Sequence, residues 1–263
     1  MKKILLISFP VVFTIAYYHL TIYVFEPYKA SFEAQRWFEK GTKFWKARKF
    51  EEALNAYGHS VQLNPDNAVA WFRSGLIHRH MKEDRNALEM YTRATEVDST
   101  NTDYWANRGI LLTQLGESGA ALEVYDQALR NLPSEPSLWN NRGGVLINLN
   151  RLDDALESFG RALEIQPNYA EAWNNRGIAL HKLGRLCEAI VALDRSTKLN
   201  PKNGDTWYSL ARALGIAREK ERALFALQKA LSLKPDLKRR IREESAFEFL
   251  LSSREFQILD LSD

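Results

Sequence analysis

Charged and uncharged positions change their pattern near residue 26. After Lys2 and Lys3, the stretch from Ile4 to Phe25 contains no charged residue. A helix needs about 20 apolar residues to cross a bilayer core, so this stretch is expected to be a spanning helix. It ends in Tyr23-Val24-Phe25-Glu26-Pro27, with no small residues at its exit. A cleaved signal would need them, so an uncleaved anchor is expected. A buried helix packed onto the domain and a cleaved leader are the alternatives. Beyond it the pattern is one of short amphipathic helices punctuated at a fixed interval.

That interval is 34 residues. Trp37, Trp71, Trp105, Trp139, Trp173 and Trp207 follow one another at this spacing without a slip. Four positions after each comes Gly41, Gly75, Gly109, Gly143, Gly177 and then Ala211. Alanine recurs at Ala53, Ala87, Ala121, Ala155, Ala189 and Ala223, and a second small residue at Ser60, Ala94, Ala128, Ala162, Ser196 and Ala230. Pro65, Pro133, Pro167, Pro201 and Pro235 close five of the units, with Ser99 in the remaining one. Small residues permit two helices to cross closely. Glycine inside a helix costs about 1 kcal/mol relative to alanine, so its return at one phase requires a larger packing gain. Proline stops the second helix, and Gly116, Asn150 and Gly184 fall where a left-handed cap residue is wanted.

These spacings predict six helix pairs, at residues 34–67, 68–101, 102–135, 136–169, 170–203 and 204–237. A membrane anchor at 1–26, a juxtamembrane linker at 27–33 and a capping helix with tail at 238–263 complete the chain. Leu237, Ile241, Phe247, Leu250 and Leu251 supply the apolar face that a terminal cap needs. Phe256, Ile258 and Leu259 are expected either to fold back with it or to dock on a partner. Lys2 and Lys3 favour an amino terminus on the cytoplasmic side, whereas Lys29, Arg36 and Lys40 pull the other way. The expectation is a single-pass membrane protein with the side of its repeats open.

The pattern of Trp, Gly, Ala and Pro at this spacing resembles the tetratricopeptide-repeat family over residues 34–237. The resemblance implies an all-α, right-handed superhelical solenoid whose first helices line a concave groove. The wording from Ala172 to Leu180, Ala-Trp-Asn-Asn-Arg-Gly-Ile-Ala-Leu, is similar to membrane-anchored arrays of bacteria and oxygenic phototrophs. By the family's groove positions, the sixth residue of each unit is Glu39, Arg73, Asn107, Asn141, Asn175 and Ser209, with Asn140 and Asn174 beside the run. Three asparagines in one phase are similar to the ladder of O-linked N-acetylglucosamine transferases, which implies a grip on the backbone of an extended peptide. One amide offers both a donor and an acceptor to a peptide unit. Local satisfaction of asparagines near a helix start is the alternative. The same carry-over makes Phe38, Trp45, Phe72 and His80 a possible apolar partner patch. The carboxylate clamp of chaperone-binding members does not assemble from these residues.

Composition narrows the functions further. Net charge is +3, with 45% hydrophobic and 26% charged residues, a globular balance that does not call for nucleic acid. The basic run Lys234, Lys238, Arg239, Arg240 and Arg242 is expected to be the solvated side of the cap, diluted by Glu243 and Glu244. Cys187 is the only cysteine, which excludes an internal disulfide. His78 and His80 sit two residues apart on a helix and point about 200° apart, so they cannot share a metal. Arg108, Arg142 and Arg176 recur in Asn-Arg-Gly and are expected to be structural. No cofactor, metal or catalytic constellation is expected. The leading expectation is a membrane-tethered scaffold that assists assembly or stability of a membrane complex by binding protein. A stable accessory subunit is the alternative, with a nucleic-acid or ligand-sensing module behind both.

Overall fold

A computed structural model of the chain describes residues 26–250 together with Phe256. Among the described residues there are thirteen α-helices and no strand. The first pair is α1 (Glu26–Lys46) and α2 (Phe50–Leu63). Next come α3 (Ala68–His80) with α4 (Asp84–Val97), and α5 (Thr102–Gln114) with α6 (Ser118–Asn131). They are followed by α7 (Pro136–Asn148) with α8 (Leu152–Ile165), and α9 (Ala170–Lys182) with α10 (Leu186–Leu199). The last pair is α11 (Gly204–Ile216) with α12 (Lys220–Leu233), and the short α13 (Lys238–Glu243) follows. The chain divides into two compact units, one ending at Tyr104 and the other beginning at Trp105.

Each glycine of the 34-residue series lies against the second helix of its own pair. A Cβ built on Gly143 would stand 2.5 Å from the Phe159 ring, and one on Gly75 would stand 2.5 Å from Tyr91. The repeated alanine lies behind these rings, with the Ala87 carbonyl 3.3 Å from that same Gly75 position. Tyr57, Tyr91, Tyr125 and Phe159 are all buried, so glycine is what admits an aromatic ring into the crossing. Where serine replaces the second small residue, its hydroxyl is satisfied by the first helix. Ser60 donates to the Ala34 carbonyl at 2.9 Å and Ser196 to the Ala170 carbonyl at 2.8 Å.

The turns repeat as closely as the helices. The indole N–H groups of Trp71, Trp139, Trp173 and Trp207 donate to the carbonyls of Pro65, Pro133, Pro167 and Pro201, each at 2.9 Å. The residue that turns each first helix into its second has positive φ in every pair: Arg48, Lys82, Gly116, Asn150, Gly184 and Arg218. Glycine and asparagine tolerate that conformation, whereas the Cβ of arginine or lysine disfavours it.

Helix α1 begins at Glu26, so residues 27–33, expected as a linker, belong to the first helix of the array. The expectation of a single-pass membrane protein is corrected. No helix among the described residues is long and apolar enough to cross a membrane. The paired helices after α1 have 13 or 14 residues, about 20 Å at 1.5 Å per residue, against a hydrocarbon core of about 30 Å. Helix α1 has 21 residues but carries charges along its length, from Lys29 and Glu33 to Lys43 and Lys46. The span assigned to residues 4–25 lies outside the described residues.

At the other end, Ile241 stands 34 residues after Trp207, so α13 takes the place of a next first helix. It stops after six residues, and a 3-10 turn over Ser245–Leu250 follows. Ile241, Phe247, Leu250 and Phe256 are buried with Leu214 and Leu227 in one apolar cluster. Phe256 therefore belongs to the cap, whereas Leu251, Ile258 and Leu259 lie outside the described residues.

Candidate functional site

The asparagines expected to grip a peptide lie on α5, α7 and α9. Asn175 Nδ2 donates to Asn140 Oδ1 at 3.0 Å, and Asn174 Nδ2 donates to Asn175 Oδ1 at 3.3 Å. Two neighbouring first helices are thus joined by a chain of amides. Asn140 is buried, and the buried Asn174 Oδ1 has no hydrogen-bond partner. Asn141 hydrogen-bonds the Tyr125 hydroxyl, whose pKa burial pushes well above the ordinary tyrosine value while the asparagine bond works against that rise. The same hydroxyl donates to the Ala106 carbonyl at 3.4 Å.

These groups surround an open groove of about 320 Å³, lined by Ile110, Tyr125, Asn140, Asn141, Asn148 and Asn175 among others. Asn107 is half-buried on α5 and is not part of this lining. The structure therefore brings four of the five expected asparagines together but separates them by role. Asn140, Asn141 and Asn175 line the groove, while Asn174 stands outside the lining and, with Asn140, holds the Asn175 amide in orientation. Sequence phase alone indicates which helix face they share, not which amides bond each other. Tyr125 and Asn148, both in the lining, were missed. Tyr125 looks like a core residue, and Asn148 is the thirteenth residue of its unit, a groove position in the family.

The asparagine helices are fixed from behind by arginine. Arg142 Nε donates to Asp126 Oδ1 at 2.7 Å, and its NH1 donates to Ser158 Oγ at 2.7 Å. It therefore ties α7 to α6 and α8 at once. The guanidinium groups of Arg108, Arg142 and Arg176 lie 6.0, 5.8 and 5.5 Å from the centroids of Trp105, Trp139 and Trp173. In these three repeats the arginine stands three residues after the tryptophan, whereas Ser74 and Leu210 follow Trp71 and Trp207 at the same spacing.

Phe38, Trp45, Phe72 and His80 do not form one open patch. Phe38 and Phe72 are half-buried, with ring centroids 5.7 Å from Tyr57 and 5.6 Å from Tyr91 respectively. The Arg73 guanidinium covers Phe38 at 5.0 Å and bonds Thr42 Oγ1 at 2.6 Å. Trp45 and His80 instead meet on Phe50, at 5.8 and 4.5 Å. Core tyrosines and Arg73 thus cover part of the rings that the sequence offered as a possible partner patch. His78 is engaged with Glu83 Oε2 at 2.6 Å, and that hydrogen bond holds the Glu83 carboxyl below the usual range. Among the described residues no group of three His, Cys, Asp or Glu side chains is placed to hold a metal. In the basic run, Lys234 pairs with Asp205 at 2.8 Å and Arg239 with Glu243 at 3.0 Å. Arg240 lies over Tyr208 at 4.5 Å.

Repeated antiparallel helix pairs, with a polar groove on their first helices, define an all-α repeat protein. The chain belongs to the tetratricopeptide-repeat family. Models described as tetratricopeptide repeat match residues 38–84, 85–136, 68–101, 170–203 and 204–237, and one described as TPR repeat matches 143–184. No curated protein matches the sequence. Among solved structures, PilF of Pseudomonas aeruginosa superposes with a TM-score of 0.64 at 17% identity, covering 84% of this chain and 98% of that one. PilW, described as a widely conserved type IV pilus biogenesis factor, gives 0.59 at 16% identity, over 83% and 98% of the two chains. YrrB, described as a TPR protein with an unusual peptide-binding site, gives 0.53 at 26% identity, over 69% and 93%. The finer likeness to membrane-anchored arrays of phototrophs finds no support among these matches.

Proposed function

We propose that this chain is a protein-interaction scaffold that holds an extended segment of a partner protein in the groove of α5, α7 and α9, and that it serves the assembly of a multiprotein complex. No catalytic step enters this function. The observation that carries the reading is the chain of amides from Asn174 through Asn175 to Asn140, beside Asn141 in an open groove. An extended strand offers a peptide unit about every 3.3 Å, and each unit presents one donor and one acceptor. Amides fixed in orientation pair with such units without the entropy of ordering free side chains. The described peptide-binding site of YrrB supports peptide as the class of ligand.

The test is a photo-crosslinking residue at Asn148, which is exposed at the rim of the groove. Illumination in cell extract is expected to capture a partner through one contiguous stretch of its chain. Asn141→Ala with Asn175→Ala should lower its recovery about tenfold, because each lost hydrogen bond is worth about 0.5–1.5 kcal/mol. Asn107→Ala should leave recovery close to that of the parent. Equal recovery with the double variant would remove the groove from the function.

A further inference from the structure

The last repeat departs from the others on the face that carries the asparagines. Tyr208 occupies the position of Asn174 and Asn140, one and two repeats earlier, at the same 34-residue phase. Its hydroxyl donates to Glu244 Oε2 at 2.8 Å. Gly215 stands where the preceding repeats have Trp45, Arg79, Thr113, Ile147 and His181. A Cβ there would lie 2.5 Å from the Ala246 carbonyl oxygen and 3.1 Å from the Phe247 ring. Phe247 is fully buried, with its ring edge-on to Tyr208 at 6.3 Å. The 3-10 segment after α13 therefore lies on the first helix of the sixth repeat, on the face where the earlier repeats form their groove. The glycine at 215 makes room for it.

The electrostatic fit beneath that segment is incomplete. Arg212 NH1 is 4.0 Å from Glu244 Oε2, at the limit of an ion pair, and its buried Nε has no partner. His181 Nδ1 is 3.5 Å from Arg212 NH2, and the buried His181 Nε2 also has no partner. Buried donors without acceptors are costly. Glu244 thus meets the Tyr208 hydroxyl closely but Arg212 only at the limit of an ion pair, and the two buried nitrogens left beside it describe a site for an acidic segment that the tail fills only in part.

We infer that the sixth repeat recognises a partner segment with a carboxylate followed three residues later by an aromatic ring, and that Glu244 and Phe247 of the chain's own tail occupy this site in the absence of the partner. The inference extends the proposed peptide groove by one repeat and rests on that reading for the path of the partner. The tail is then a displaceable occupant as well as a cap. A partner segment of this chemistry competes with it, and weakening the tail raises the fraction of chains ready to bind.

The probe is a fluorescein-labelled synthetic copy of residues 243–250, Glu-Glu-Ser-Ala-Phe-Glu-Phe-Leu, titrated into the full chain by anisotropy. The parent should bind it weakly and the Glu244→Gln chain up to about tenfold more tightly, since a charged hydrogen bond that holds the resident tail is lost. The same substitution within the probe should cancel the gain, and Tyr208→Phe should weaken binding to the Glu244→Gln chain while changing the parent little, where it loosens tail and probe alike. Amide exchange of residues 244–250 in the unmodified chain gives an independent reading. Those amides should exchange well before the amides of α11 and faster still when probe is added. Indistinguishable affinities of the parent and the Glu244→Gln chain would overturn the inference, as would tail amides protected as long as those of α11. Partner capture at Asn148 reads the asparagine groove and probe affinity reads this site, so failure of the one and failure of the other are separable.

Discussion

Gly143 shows how one atom is excluded at a helix crossing. Its missing Cβ is the space into which the Phe159 ring enters, at 2.5 Å from where that atom would be. Gly143→Ala should lower unfolding stability by about 1–3 kcal/mol, the usual range for overpacking a close contact, with Gly143→Leu worse. A urea midpoint equal to the parent's would mean that the ring has room elsewhere. Tryptophan, glycine, alanine and proline are legible from the sequence because each answers a local steric demand that returns every 34 residues. The positive φ at Arg48, Lys82 and Arg218 was not legible, because nothing in those side chains signals it. Their positions follow from phase with Gly116 and Gly184. Lys82→Gly is accordingly expected to stabilise the fold by about 0.5–1 kcal/mol, the left-handed penalty less the added freedom of the unfolded chain. A thermal melt below the parent's would contradict this.

Between elements, the seam of α9 and α11 carries the most delicate balance of charge. Burial pushes the His181 pKa below its ordinary value, and Arg212 beside it pushes the same way against the opposing pull of Glu244. The folded state thus takes up a proton less readily than the unfolded chain. The stability from keeping this imidazole neutral is complete above the ordinary value of about 6.5 and declines as pH falls below it towards the lowered folded value. Chemical denaturation at pH 7.5 and pH 5.5 should show a loss on acidification that is smaller in His181→Gln. An equal loss in both chains would place the acid sensitivity elsewhere. The sequence indicates a cap but not this seam, which depends on where Glu244 comes to rest against α11. For the same reason the amide chain of Asn174, Asn175 and Asn140 was visible as a face but not as a network. Phase sets which side chains share a face, while rotamers and neighbouring helices decide which of them meet.

Across the whole molecule, repetition makes most of the fold readable and departures from repetition mark where binding is proposed. Four aromatic rings in the first two repeats were assigned to a partner because their positions matched a groove. In the structure Tyr57, Tyr91 and Arg73 pack against two of these rings, Phe38 and Phe72. The single-pass assignment rested on the uncharged character of residues 4–25, and none of the described helices combines the length and apolarity that a span requires. The asparagine groove of α5, α7 and α9 remains the feature on which the proposed function turns. Its most direct test is the affinity of the partner stretch captured at Asn148, synthesised as a free peptide and titrated calorimetrically into the full chain and its Asn141→Ala, Asn175→Ala variant. The expected result is affinity about tenfold weaker in the variant, with the helical circular dichroism of the parent retained. Equal affinity in two equally folded chains would contradict peptide recognition by these amides.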